Sequence, residues 1–263
     1  MEYLKQDGVP GFESFEFEKK TKDYAVLIPI INEGRRILSE LSRAKRYNVY
    51  EYADIIICDG GSTDGCTKSE RLCSLKVNTL LVKKTEGRQG AQLRMGIWWA
   101  LKRGYKGIVT IDGNNKDSIE NVPDFIKKLE EGYDFVQGSR FIEGGRAINT
   151  PLVRLVSVKL IHAPIISITA HKRFTDTTNA FRGYSARYLK DDRVSPLRDV
   201  FVTYELLAYL SVRASQIGMK VCEIPVTRAY PKKGKTPTKI SLIKGNFNLM
   251  KILISNLLGL YKP

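Results

Sequence analysis

Hydrophobic positions along the chain fall into two alternating patterns. Runs at 24–30, 53–58, 77–82, 107–111 and 133–137 are mostly apolar, as strands covered on both faces are. Between them, apolar residues recur at helical spacing. Ile37, Leu38 and Leu41 follow Glu33, a second segment runs to Leu72, and Leu93, Ile97, Ala100 and Leu101 share a face of 87–103. Ile119, Val122, Phe125, Ile126 and Leu129 follow Ser118 in the same way. Asn32 is placed to cap the first helix, and Thr63 or Asp64 the second. Five strands alternating with four helices predict an α/β fold, a mostly parallel sheet flanked by helices. Right-handed crossovers bring the strand ends and their loops to one edge.

The flanks read differently. Residues 1–22 predict a polar, weakly structured lead-in, and beyond about residue 145 the alternation stops. The stretch 151–170 is apolar but interrupted by Arg154, Lys159, His162 and Pro164, which suits helices packed at a lipid or protein surface. A short strand at 178–184, a helix at 201–217 and a strand at 220–226 follow. The domain body is therefore 23–226, with its character changing near 145, and 227–263 is a basic loop and an amphipathic helix. In that helix Ile240, Ile243, Phe247, Met250, Ile254, Leu257 and Tyr261 form a stripe, with Lys244, Asn248 and Lys251 off it. Such a stripe either packs on its own domain or lies on anionic lipid.

Composition adds little: 43% hydrophobic and 27% charged residues over 263 describe an ordinary globular chain with a sizeable core. The net charge of +15 adds more. No acid follows Glu223, so Arg228, Lys232, Lys233, Lys235, Lys239, Lys244, Lys251 and Lys262 stand unopposed in the sequence. A basic end implies phosphates on a nucleotide, a lipid head group or a nucleic acid, unless it is only a solvated face. No basic strand interleaved with aromatics supports a nucleic acid, and none is expected as a partner. Cys58, Cys66, Cys73 and Cys222 form no C-x-x-C pair and the chain has 2 histidines, which argues against a zinc site or disulfide framework. No signal peptide opens the chain, and its longest apolar run, 160–170, is shorter than the ~18 residues of a membrane span. The expectation is a cytoplasmic protein, peripheral at the cytoplasmic membrane face.

Two strand ends carry the chemistry. The run to Cys58 ends in Asp59-Gly60-Gly61-Ser62-Thr63-Asp64-Gly65, and the run to Ile111 ends in Asp112-Gly113-Asn114-Asn115-Lys116-Asp117. A buried strand ending in a carboxylate and glycines delivers an acid to the ligand-binding edge, so the pair predicts one crevice for a nucleotide-linked substrate. Four further pieces join them in order: Ile28-Pro29-Ile30-Ile31-Asn32-Glu33, Gly87-Arg88-Gln89-Gly90-Ala91, Gly138-Ser139-Arg140-Phe141 with Gly144-Gly145, and Thr178-Asn179-Ala180-Phe181-Arg182. Together, over 24–239, they resemble the family 2 glycosyltransferases of GT-A fold, specifically the dolichyl- or polyprenyl-phosphate sugar synthase branch.

The resemblance implies a Rossmann-like sheet with a donor half at 23–145 and an acceptor half at 146–226. It places Pro29, Asn32, Glu33, Asp59, Gly61 and Arg88 at the donor nucleotide, with Asp59 accepting a hydrogen bond from the base. Asp112, Gly113, Asn114 and Lys116 fall at the donor diphosphate. Family members carry Asp-x-Asp there and hold Mg2+ or Mn2+, so Asp112 and Asn114 are the metal ligands to expect, with affinity lowered by the amide. Lys116 is placed to contact a phosphate oxygen, and Asp117 either restores a ligand or caps the helix after Ser118.

The implied reaction is inverting transfer of a sugar from a nucleotide diphosphate to a polyprenyl phosphate, with Arg140, Arg154 and, one residue out of family register, Ser157 at the acceptor phosphate. An anionic acceptor needs no base. A saccharide hydroxyl acceptor, in polysaccharide or glycolipid assembly, would need one, with Asp176 the better match and Glu205 the other. Lys232, Lys233, Lys235 and Lys239 correspond to a segment that closes over donor phosphates. Partners are thus a nucleotide sugar, a polyprenyl phosphate or other anionic lipid and the membrane surface, with room for a membrane-protein partner or self-association. A non-catalytic nucleotide- or lipid-binding protein is the reading from another class. A nucleotidyltransferase would show a glycine-rich phosphate loop near its first strand, where this chain has Pro29-Ile30-Ile31-Asn32-Glu33.

Overall fold

The computed structural model describes residues 2–232 and 244–263. Its strands are β1 Glu2–Gln6, β2 Val9–Glu16, β3 Tyr24–Ile30, β4 Ala53–Asp59, β5 Val77–Lys83, β6 Gly107–Thr110, β7 Phe135–Ser139, β8 Arg146–Ile148, β9 Arg182–Ser185, β10 Val221–Pro225 and β11 Thr227–Ala229. The helices are α1 Arg35–Arg46, α2 Ser69–Ser74, α3 Gln89–Lys102, α4 Val122–Glu130, α5 Leu152–Ser157, α6 Ala163–Ala170, α7 Ala186–Lys190, α8 Glu205–Gln216 and α9 Lys244–Leu257.

One nine-stranded sheet runs β1-β2-β5-β4-β3-β6-β9-β7-β10, and β11 pairs with β8 in a small second sheet. Its centre, β5-β4-β3-β6, is parallel as the apolar runs predict. Val26, Ile28, Ile55 and Ile57 face one side, and Leu27, Ile56 and Cys58 the other, all with no measurable exposure. Two apolar layers result, one under α1 and α4 and one under α3 and α8. On its flanks β9 inserts antiparallel between β6 and β7, β10 pairs parallel with β7, and β2 pairs antiparallel with β5.

The lead-in is more ordered than expected. Its strands β1 and β2 form a hairpin on the sheet edge, and Phe12, buried, meets Trp98 and Trp99 of α3 edge-on, with ring centroids 5.8 and 6.2 Å apart. The hairpin turns at Gly8 (φ 72°), where a Cβ would strike the Leu197 carbonyl.

The apolar stretch after 150 also differs. Leu152–Ala170 is one helical rod of 19 residues, long and apolar enough to cross a membrane by length and composition. Pro164 does not break it, because it sits in the first turn of α6, after a π-helical segment Val158–His162 that loosens the backbone ladder. Leu152, Val153, Leu160 and Ile168 of this rod are exposed. In α9 the buried face is Ile252, Leu253 and Asn256, so Phe247, Ile254 and Leu257 of the expected stripe point outward. Ile240 and Ile243 lie outside the described residues.

Candidate active site

The loops after β3, β4 and β6 meet at the carboxyl edge of the sheet. The Gln92 amide of α3 donates to the carbonyls of Ile30 (2.6 Å) and Cys58 (2.8 Å), fixing the ends of β3 and β4 side by side. Asn32 does not cap α1, which begins at Arg35 after Gly34. It adopts a left-handed conformation (φ 49°) and its side-chain oxygen accepts the Thr63 N–H at 2.8 Å. Asp64 likewise accepts the Gly34 N–H at 2.8 Å rather than capping α2, which starts only at Ser69. These loop-to-loop bonds form one rim from two sequence motifs. Glu33 on this rim pairs with Arg36 at 2.8 Å, and Pro29 is half-buried within β3.

Asp59 lies at the base of the rim, 1% exposed. Its carboxylate accepts the Ser62 N–H and hydroxyl. Gly61, at φ 97°, turns the chain so that Ser62 can reach back. A carboxylate has lone pairs beyond the two that Ser62 uses, so Asp59 can still receive a base N–H. Arg88 stands exposed at the start of α3.

The second Asp-Gly end is more crowded. Gly113 passes over β3 so closely that a Cβ there would lie 2.4 Å from the Ile30 side chain. Asp112 accepts from the Gln89 amide at 2.9 Å, from Asn114 at 3.3 Å, and from Arg228 at 3.2 Å. Burial pushes its carboxyl upward, but the charges of Arg228 and Lys116 outweigh this and hold it below the ordinary value. Asp117, fully buried, neither caps a helix nor faces the crevice. It pairs with Arg228, and burial raises its pKa against that guanidinium. Asn115 is left-handed (φ 57°), and its N–H donates to the buried Glu40 of α1 at 2.8 Å. Burial drives the Glu40 carboxyl well above its ordinary value.

Arg228 is the residue that sequence reasoning missed. It counted among the unopposed charges, yet it faces Asp112 and Asp117 in the interior. The available signal was period two: Val226, Arg228 and Tyr230 alternate with Thr227 and Ala229, and the first three are all buried. Hydrogen bonds from Ser118 N–H to Thr227 and from Ala229 N–H to Lys116 lock this strand beside the 112–117 loop. Tyr230 gathers three cations about its ring, at centroid distances of 5.1 Å for Lys116, 5.6 Å for Arg154 and 5.9 Å for Arg228. Its hydroxyl accepts from Arg154 at 2.9 Å. Burial raises the phenol, but these cations bring it below its usual value.

The acceptor-side expectations divide. Arg154 lies in this cationic cluster. Arg140 does not: its guanidinium is 1% exposed and engages Asp176 through two hydrogen bonds of 2.6 and 2.9 Å. The pair neutralises itself inside the protein, which removes Asp176 as a poised base. Glu205 accepts from the Thr203 N–H and hydroxyl at the start of α8 and is engaged too. Ser157 donates to the Val153 carbonyl of its own helix. Lys232 is exposed, and Lys233, Lys235 and Lys239 lie outside the described residues.

A divalent cation needs several oxygen ligands free to point at it. Asp112 is engaged by donors on both oxygens, the Asn114 amide donates to Asp112, and its oxygen accepts the Lys116 N–H at 3.3 Å. No group of three His, Cys, Asp or Glu side chains among the described residues could hold a metal. The residues present do not fit the expected Mg2+ or Mn2+.

Comparison with known proteins agrees with the architecture. The chain is 25% identical over 215 residues to the polyprenol monophosphomannose synthase of Mycolicibacterium smegmatis, covering 80% of this chain and 78% of that one. It is 26% identical over 216 residues to the undecaprenyl-phosphate mannosyltransferase of Micrococcus luteus, covering 80% and 85%. The glucosyl-3-phosphoglycerate synthase of Mycobacterium tuberculosis, solved with Mn2+, UDP and phosphoglyceric acid, superposes with a TM-score of 0.63 at 15% identity, over 90% of this chain and 78% of that one. That likeness shows the shared GT-A fold. Residues 25–193, from β3 through the Asp-Gly ends to the segment after α7, match the profile of Glycosyl transferase family 2, and the chain belongs to that family of glycosyltransferases.

Proposed function

We propose that this glycosyltransferase moves a sugar from a nucleotide-diphosphate sugar to a polyprenyl phosphate, with inversion, at a membrane surface. The observation that carries the reading is the gathering of three cations around Tyr230, with both candidate bases engaged elsewhere. A hydroxyl acceptor needs a carboxylate to take its proton. A phosphate monoester is already anionic and needs positive charge to position it. The two relatives named above carry polyprenol or undecaprenyl phosphate in their own names, in keeping with this choice.

In the reaction, an acceptor phosphate oxygen attacks the anomeric carbon from the face opposite the diphosphate. The new carbon–oxygen bond forms as the bond to the diphosphate breaks, and the nucleoside diphosphate leaves with the electron pair. Asp59 reads the base, the rim of Asn32 and Thr63 borders the nucleoside, and Arg154 aligns the acceptor phosphate. The protein contributes alignment and fixed positive charge opposite the leaving group. The exposed apolar residues of 152–170 and α9 supply a face suited to anionic lipid.

Two substitutions test the division of labour. Asp59→Ala weakens nucleotide-sugar binding, whereas Arg154→Ala spares it and slows transfer to polyprenyl phosphate by about 10- to 100-fold, as loss of a charged phosphate contact does. Equal loss of donor binding in both variants contradicts the assignment.

A further inference from the structure

The sugar-transfer reading leaves open what neutralises the donor diphosphate, and the residues at Asp112 give an answer. We infer that Lys116 and Arg228 take the place of a divalent cation, so that this enzyme binds its donor and transfers sugar without a metal ion. The inference rests on the nucleotide-sugar reading above.

Three observations converge. Asn114 stands where a second carboxylate would complete an acidic pair, which removes a negative charge and leaves an amide already bonded to Asp112. Two residues on, Lys116 is 6% exposed with its ammonium 5.1 Å from the Tyr230 ring centroid. Arg228, 4% exposed, reaches Asp112 and Asp117 together. An ion entering beside Asp112 would meet both cations. To gain the carboxylate it would have to displace Arg228, and Asp117 would then be buried without a counter-charge. The same cations lie on one support, because the 227–229 strand bonds to the 116–118 backbone. The arrangement therefore offsets the two carboxylates with two fixed cations and resists the ion that would otherwise do so. Lysine and arginine are ordinary phosphate ligands, and charge held in place by the fold needs no reorganisation when the diphosphate departs.

Titration calorimetry of the full chain with UDP, GDP, ADP, CDP and dTDP, in EDTA and in Mn2+, tests this. The diphosphate that binds should do so within about twofold in the two buffers. Lys116→Gln should weaken it about tenfold or more while leaving the matching monophosphate within about threefold, and Lys116→Arg should restore most of the loss. Retained monophosphate binding shows that the variant is folded; if it does not fold, the buffer comparison on the unaltered protein decides. A tenfold or greater loss in EDTA, or equal weakening of mono- and diphosphate by Lys116→Gln, overturns metal-free binding. Failure of every diphosphate in both buffers overturns the nucleotide-sugar reading itself.

Discussion

Replacing Arg228 with methionine tests whether this guanidinium holds the centre of the site together. It contacts Asp117, whose side chain is 0% exposed, as well as Asp112 at 3.2 Å and the Asn179 side chain at 3.3 Å. The second Asp117 oxygen has no hydrogen-bond partner among the described residues, so Arg228 is that carboxylate's compensation. Methionine keeps most of the volume and removes the charge. Breaking one side of a buried ion pair costs about 3–5 kcal/mol, because the remaining charge is left in a poor solvent. In a chain of this size each kcal/mol moves the thermal midpoint by about 2–4 °C, so Arg228→Met should lower it by roughly 6–20 °C. Adding Asp117→Asn removes the stranded charge and should recover about 1–3 kcal/mol, a coupling that a double-mutant cycle in chemical denaturation measures. Additive single effects, or a loss below about 1 kcal/mol for Arg228→Met, would refute the claim that the pair is buried and mutually dependent.

Glu40 gives a pH test. Its folded pKa lies above its unfolded one, so folding takes up a proton. The fold then loses stability as pH rises past the ordinary glutamate value, until the folded group itself ionises. Glu40→Gln can still accept the Asn115 N–H, and melting curves should show it raising the thermal midpoint at pH 7.5 by more than at pH 4.5; equal shifts at both pH values would show that Glu40 is not held protonated. At the surface, Leu160→Glu and Ile168→Glu change residues 71% and 66% exposed. They should leave stability within about 0.5 kcal/mol while reducing co-sedimentation with anionic vesicles. Unchanged vesicle binding would remove this rod from the lipid-facing surface.

What the sequence revealed follows the range of the interactions. The parallel centre of the sheet was legible because β3, β4, β5 and β6 each declare themselves by a local apolar run. The two Asp-Gly ends were legible because a strand end and its turn are neighbours in the chain. The partners of those acids were not. Arg228 lies 116 residues beyond Asp112, and only the insertion of β11 beside 116–118 brings them together. Arg140 carries a motif that suggests a phosphate ligand, yet the fold places Asp176 against it and turns it inward. The lead-in concealed β2, because the strand it pairs with inside the sheet, β5, lies far along the chain. In α9 the amphipathic pattern was real, but α6 and α8 cover a different face, with Asn256 donating to the Ala208 carbonyl.

The central claim is transfer from a nucleotide sugar to a lipid phosphate, and acceptor-dependent nucleotide release tests it most directly. The purified chain is incubated with a panel of nucleotide sugars, and free nucleoside diphosphate is measured before and after adding polyprenyl phosphate or the corresponding unphosphorylated polyprenol. Release that begins with the phosphate, and not with the alcohol, is the predicted result. Release driven by a saccharide or polyprenol hydroxyl, or tight nucleotide binding with no turnover on any acceptor, would contradict it.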